Sequence, residues 1–275
     1  MALRINTNVA SVFAQKNLSR TQDRLQSNFE HLSSGLRITK AADDAAGLGV
    51  SENMRATIRS LRQAIRNAND GVSVVQTAEG AATEIGSILS RMRELAIQSA
   101  SEVLGATERA YISTEATALI SEVSRIADAA EFNGLALANA VGNSLDVWVG
   151  AGNSSSVDML QVGLATLTTA SLGISAVNLN TTTGAQAAIA TLDTAIDSVN
   201  SAHASYGASQ NRLSSALHNL EDYTENLVSA ESRIRDVDFA SETADLTRNQ
   251  IFSQAAVAVL AQANQTPQAA LQLLQ

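Results

Sequence analysis

LDTAIDSVNSAHASYGASQNRLSSALHNLEDYTENLVSAESRI, residues 192–234, places Leu192, Val199, Tyr206, Leu213, Leu220, Leu227 and Ile234 in one unbroken seven-residue register. A straight helix brings positions seven apart to nearly the same face, so this stretch predicts a long coiled-coil helix. His203 falls on the companion stripe of that seam, where a structural or solvent-edge histidine is the ordinary reading.

Working outward, the same period recurs. Near the start of the chain Leu18, Leu25 and Leu32 repeat every seven residues, with Phe29 and Leu36 filling the alternate position. Residues 44–99 carry Met54, Leu61, Ala68, Val75, Ala82 and Leu89 in one stripe, with Ile58, Ile65 and Val72 beside it. After Val75 the companion stripe moves to Ala78, Ile85 and Met92, the drift expected when a 3.6-residue turn meets a seven-residue repeat. A helix of that extent is roughly 80 Å long. A shorter helix is expected over 107–129, with Tyr111, Ile112, Leu119, Ile120, Val123 and Ile126 on one side. It ends at Phe132-Asn133-Gly134, where Asn-Gly makes a tight turn at little steric cost. In Leu145-Asp146-Val147-Trp148-Val149 the period drops to two, as it does more loosely over 157–162. The turn-rich 150–156 lies between them, so a β-hairpin is expected. Thr- and Ser-rich sequence over 166–183 leads back to the last long helix.

Composition suits thin helical rods. The chain has 275 residues, no Cys, three His and a single Pro, Pro267, so little punctuates long helices. Aromatics are 3%, which leaves Ala, Leu, Ile and Val to build the core and lets helices approach closely. Without Cys there are no disulfides, thiolate nucleophiles or Cys-ligated metals. A formal net charge of −9 opposes contact with phosphate backbones, so no nucleic-acid partner is expected. No apolar run is long enough to span a bilayer, and polar positions carry Gln, Asn and Ser rather than Lys and Arg, so no membrane partner is expected either. The start of the chain has neither a basic nor an apolar leader region.

No constellation supplies a catalytic, cofactor or metal site. Adjacent Asp43 and Asp44 are read as caps for the N-terminus of the long second helix. Ser33 and Ser34 have no base beside them, and Gly35 marks the place where the first helix gives way to a connector. No enzymatic activity and no cofactor are therefore expected. Both chain ends keep apolar residues beyond the long seams: Val9, Val12 and Phe13 at one, Ile251, Val259, Leu260, Leu271 and Leu274 at the other. A lone helix of this kind is marginal in water and needs a partner, the other terminus or a neighbouring molecule.

Several motifs carry a resemblance. Ile5-Asn6-Thr7-Asn8, Leu32-Ser33-Ser34-Gly35-Leu36-Arg37-Ile38, Asp43-Asp44-Ala45-Ala46-Gly47, Arg66-Asn67-Ala68-Asn69-Asp70-Gly71 and Gln76-Thr77-Ala78-Glu79-Gly80 resemble, in order, the N-terminal signature of bacterial flagellin. Ala230-Glu231-Ser232-Arg233-Ile234-Arg235-Asp236-Val237-Asp238, Gln254-Ala255 and Ala261-Gln262-Ala263-Asn264-Gln265-Thr266-Pro267-Gln268 are similar to its C-terminal half. The likeness covers roughly residues 1–135 and 185–275; Gln275 departs from it, standing where the family commonly ends on a basic residue.

The resemblance implies a mainly α fold, a long antiparallel helical coiled-coil bundle with a small β-hairpin region, its N- and C-terminal helices paired. Residues 1–42 and 236–275 would form the terminal coiled-coil core in the filament interior, and 43–235 a helical rod with the hairpin near 145–163. Residues 163–184 leave no room for an inserted outer domain, so a minimal form with a comparatively smooth filament is expected. Function would be helical polymerisation into the flagellar filament for motility, an extracellular location. The subunit would be exported unfolded, without signal-peptide cleavage. Partners implied are other copies of the chain, the flagellar export apparatus and its chaperone, the filament cap, hook-associated proteins and the host's flagellin-sensing receptor. Assembly residues would be Val9, Phe13, Leu18, Leu25, Phe29, Leu32, Ile251, Val259, Leu260, Leu271 and Leu274. Receptor recognition would fall on Leu89, Arg91, Leu95, Gln98 and Glu115. A hook–filament junction protein of the same family is the alternative, separated by its low copy number.

Overall fold

A computed structural model describes residues 8–139 and 144–272, with side chains followed through residue 265. The chain divides into two compact units, one of Met1–Ile58 with Asn226–Gln275, the other of Arg59–Glu225. The elements in order are α1 (Val9–Ser34), α2 (Ala45–Ala100), α3 (Ala106–Ala129), β1 (Glu131–Phe132), β2 (Leu135–Ala136), β3 (Ser144–Trp148), the one-turn α4 (Ser155–Asp158), β4 (Met159–Gly163), a 3₁₀ turn at Ile174–Ala176, α5 (Thr182–Arg235) and α6 (Phe239–Gln272). The mainly α class expected from the periodicity is the class observed.

In the 59–225 unit the core is the meeting of α2, α3 and α5. The α5 seam residues Leu192, Val199, Tyr206 and Leu213 are buried, and Ala195, Ala202 and Ser209, three positions after the first three of them, are buried too. His203, four positions on, is half-buried instead. From α2 come Leu61, Ala68, Val75, Ala82 and Leu89, joined by Ala78, Ile85 and Met92. The helices run antiparallel: Gln210 Nε2 donates to Glu79 Oε2 at 2.7 Å, and further along Arg93 Nε reaches Asp193 Oδ1 at 2.5 Å. Small residues set how close they come. A Cβ added to Gly71 would lie 3.0 Å from a Val147 methyl and 3.5 Å from Leu213 Cδ2, and one on Gly86 would lie 3.4 Å from Val199.

Strands β3 and β4 pair antiparallel, with Leu145 opposite Val162 and Val147 opposite Leu160. Val147, Leu160 and Val162 turn inward while Asp146 and Gln161 face out, the alternation a half-buried strand requires. Tyr206 is fully buried; its Oη accepts the Ala165 N–H at 3.1 Å, and burial raises the phenol pKa, keeping the group neutral. Asn133 (φ 51°) and Gly134 (φ 79°) form the tight turn between β1 and β2, both left-handed as a two-residue hairpin of this twist demands.

Three local expectations are corrected. Tyr111 is 72% exposed: the inward face of α3 is Ile112, Ala116, Val123 and Ala127, one position round from it. The α1 position alternating with Leu25 and Leu32 belongs to Asn28, which is buried, while Phe29 is 54% exposed. The Thr/Ser-rich return segment is no mere connector, because Leu164, Leu167, Leu172, Ile174 and Leu179 all sink into the core. Backbone bonds hold it there: Leu167 N–H donates to Ala138 O at 2.8 Å, and Ser99 Oγ donates to Leu179 O at 2.6 Å.

Gly71 and Gly80 lie on the same helix but differ in surroundings, since a Cβ on Gly80 meets nothing within 4 Å. Gly80→Ala should therefore stabilise the chain by about 0.5–1 kcal/mol through helix propensity. Gly71→Val should destabilise it by about 1–3 kcal/mol through overpacking. Denaturant melts of the two variants check both signs.

Candidate assembly surface

In the other unit the two terminal helices pack together antiparallel. Asn8 caps α1, its Oδ1 accepting Ser11 N–H at 3.2 Å, while its Nδ2 donates to Ala263 O at 2.8 Å. At the far end of the pair Asn28 Nδ2 donates to Glu242 Oε1 at 2.6 Å, and Asn249 Nδ2 donates to Asn28 Oδ1 at 2.8 Å. The seam on α1 runs Ser11, Ala14, Leu18, Thr21, Leu25, Asn28, Leu32, and on α6 Glu242, Leu246, Asn249, Ser253, Ala256, Leu260, Ala263, all buried or half-buried. Both keep 3-4 spacing, with polar residues at almost half the positions.

The connectors close this unit. Gly35, at φ 72°, ends α1 with its N–H on His31 O. Leu36 and Asp236 form an antiparallel bridge flanked by Val237 N–H to Gly35 O (3.0 Å) and Arg37 N–H to Arg235 O (2.6 Å). Buried Arg235 pairs with Glu52 at 2.6 Å, and its guanidinium, with Arg55 assisting, lowers the Glu52 pKa. Asp44 caps α2 as expected, accepting Gly47 N–H at 2.8 Å. Asp43 does not: it caps the connector, where its Oδ2 accepts Lys40 N–H (2.9 Å), Thr39 N–H (3.0 Å) and Thr39 Oγ1 (2.9 Å). These bonds, the backbone ones foremost, lower its pKa from 3.8 to about 2. Among the described residues no group of His, Asp and Glu is arranged to hold a metal ion, and no helix is long and apolar enough to cross a membrane.

Outside the seam the pair exposes large apolar residues as well as charged ones such as Lys16, Arg20, Arg24 and Arg248. Val9, Val12, Phe13 and Phe29 on α1, and Phe239, Ile251, Phe252, Val257 and Val259 on α6, are each more than half exposed. Of the assembly residues expected from the sequence, Val9, Phe13, Phe29, Ile251 and Val259 lie on this outer surface. Leu18, Leu25, Leu32 and Leu260 lie in the seam, and Leu271 and Leu274 lie outside the residues whose side chains are described. Phe239, Phe252 and Val257 are additions. For Phe252 and Val257 the signal was present, because residues 249–275 contain no charged side chain at all.

Comparison with known proteins identifies the family. Residues 5–142 match the bacterial flagellin N-terminal helical region, and residues 189–274 match the bacterial flagellin C-terminal helical region. The chain belongs to the bacterial flagellin family. It is 45% identical over 272 residues to the flagellin of Halalkalibacterium halodurans, covering 98% of this chain and 99% of that protein. It is 43% identical over 286 residues to a flagellar filament 33 kDa core protein of Treponema phagedenis, covering 98% and 99%. A crystal structure of Bacillus cereus flagellin superposes with a TM-score of 0.50 at 31% identity, over 56% of this chain and 88% of that one. This flagellin is thus a structural subunit of the extracellular flagellar filament, in a minimal form consistent with its size.

The segment expected to meet the innate receptor lies in the 59–225 unit of the flagellin. Arg91 Nη2 reaches Glu115 Oε1 at 2.9 Å, and Arg91 Nη1 reaches Glu94 Oε2 at 3.0 Å, which raises the Arg91 pKa further. Gln98 is exposed, whereas Leu89 and Leu95 are buried. The fold therefore brings Arg91 and Glu115 together across α2 and α3 and withdraws both leucines from the surface.

Asp43 yields a pH prediction. Its folded pKa lies below the unfolded value, so its contribution is present above about pH 4 and is lost as pH falls through about 2. Asp43→Asn should lower stability at pH 7, and the gap to wild type should close between about pH 4 and 2 in melts of the full chain.

Proposed function

We propose that the terminal segments 1–42 and 236–275 pack as the inner core of the filament, with 43–235 as the surrounding rod. One observation carries this. The chain has five Phe, and four of them, Phe13, Phe29, Phe239 and Phe252, stand more than half exposed on α1 and α6. Exposed apolar surface concentrated on one helix pair calls for a partner, and a homopolymer supplies it from its own copies. The driving force is burial, at roughly 25 cal/mol per Å² of apolar surface. Removing residues 236–275 should leave a soluble, helical protein that no longer forms filaments when seeded. Normal filaments in electron micrographs of that truncation would refute the core assignment.

In this reading the subunit reaches the filament tip unfolded through the flagellar export apparatus, with its chaperone, and meets the filament cap and hook-associated proteins there. Long helices with few aromatics and no disulfides suit threading through a narrow channel. Receptor recognition would use Arg91, Gln98 and Glu115 on the free subunit. Leu89 and Leu95 would act through the packing that holds Arg91 in place. Arg91→Ala should then reduce receptor signalling by purified monomer while leaving helicity unchanged; an unchanged signal would remove this part of the proposal. Fold alone does not separate the filament subunit from a junction protein: the structure of a putative flagellar hook-associated protein from Vibrio parahaemolyticus has a TM-score of 0.59 at 14% identity.

A further inference from the structure

An open groove of about 770 Å³ runs along α1 beside Phe29, between the helix and its connector. Its walls are Leu25, Phe29, Gln22, Gln26 and Thr39, and the Lys40–Glu30 ion pair stands at its rim. That pair lowers the carboxyl pKa of Glu30 and raises the Lys40 pKa, so the rim stays paired and presents no net charge to an incoming group. Leu25 and Phe29 make the groove apolar, so an apolar edge suits it, and to lie along a helix that edge must place its side chains at 3-4 spacing.

Among the described helices, the 249–265 portion of α6 meets those conditions. Its seam positions Asn249, Ser253, Ala256, Leu260 and Ala263 are used against α1. Phe252, Ala255 and Val259, spaced three and four apart, form a second edge that is exposed throughout. The chain cannot fill its own groove with this edge. Phe252 of the same chain lies on the other flank of the α1 seam, beside Arg24, Ser27 and Asn28, and Val259 lies further towards Asn8, which is bonded to Ala263. Groove and edge are also different surfaces. A contact between different patches on identical subunits builds a ring where its rotation closes and an open helical polymer where it does not, whereas a self-matching patch ends at a dimer.

We propose that the groove beside Phe29 receives the Phe252–Ala255–Val259 edge of α6 from a second copy of the chain. This rests on the filament reading above and specifies one of its contacts. Because the chain has no Cys, introduced thiols report on it without background. Subunits carrying Gln26→Cys and subunits carrying Ala255→Cys, both exposed positions, are mixed, assembled on wild-type seeds and oxidised. A disulfide-linked dimer is expected from mixed filaments, and from neither variant assembled alone. Filaments without that product overturn the contact, and so does an equal yield from Ala255→Cys alone, which would mean that α6 edges meet each other. Phe29→Ala provides a second reading on an otherwise wild-type chain. The concentration of subunit left unassembled should rise about tenfold, the equivalent of 1.4 kcal/mol, with monomer helicity unchanged. No rise overturns the contact. Failure of the wild-type chain to form filaments at all would instead overturn the reading on which it rests.

Discussion

Close approach of α2 and α5 is the constraint on which the 59–225 unit depends. Ala68, Ala78 and Ala82 on one helix, with Ala195, Ala202 and Ser209 on the other, leave room for Leu89, Met92, Val199, Tyr206 and Leu213 to be buried between them. Tight packing also fixes what sits around the helices. Gly71 brings Val147 of β3 against the α2 backbone, and Tyr206 offers its hydroxyl to the segment leaving β4. Asn67 Nδ2 donates to Trp148 O at 3.1 Å as well, so the hairpin is held to the helices by close fit and hydrogen bonds, although a two-stranded hairpin alone would be marginal in water.

The terminal helices follow another rule. Their shared seam contains Ser11, Thr21, Asn28, Glu242, Asn249 and Ser253, while Phe13, Phe29, Phe252 and Val259 stand outside it. This departs from the usual amphipathic arrangement, in which the covered face holds the large apolar residues. A polar seam contributes less burial than a leucine seam, but its hydrogen bonds are satisfied in one register only, as a single buried Asn does in simpler coiled coils. Asn28 holds two partners on α6 at once, so a slip of the helices by one turn would leave a buried amide unpaired. The pair is set in register by polar contacts and keeps its apolar surface for others.

That division explains what could be read from the sequence. Long seams were legible because Leu, Val and Tyr repeat at a period the backbone imposes, and the hairpin was legible because its period falls to two. Phe29 was misplaced because hydrophobicity was the guide, and at that position the seam chose Asn28. Tyr111 was misplaced for a related reason: Ala116 and Ala127 mark the inward face of α3 by small size, a weaker signal than a ring. The buried leucines of 164–179 have no period at all, since each is placed by the turn before it. Asp43 and Asp44 are neighbours in sequence, yet only backbone geometry decides that one caps a helix and the other a connector.

An unusual composition at the C-terminal end follows from the same logic. A helix with one covered face gains by placing charge on the others, and α6 does so as far as Arg248 but not beyond. Charges there would improve the solubility of the free subunit and would have to be desolvated wherever another helix covers it, at a cost of several kcal/mol per unpaired ion. A sequence that omits them gives up solubility of the monomer for compatibility with a dry surrounding. On α1 the arrangement is graded: Gln22, Gln26 and Ser33 stand beside Phe29, polar enough for water and neutral enough to be covered. The exposed surface of α6 beyond Arg248 thus offers no charge that a covering helix would have to desolvate, the property that the proposed filament core requires.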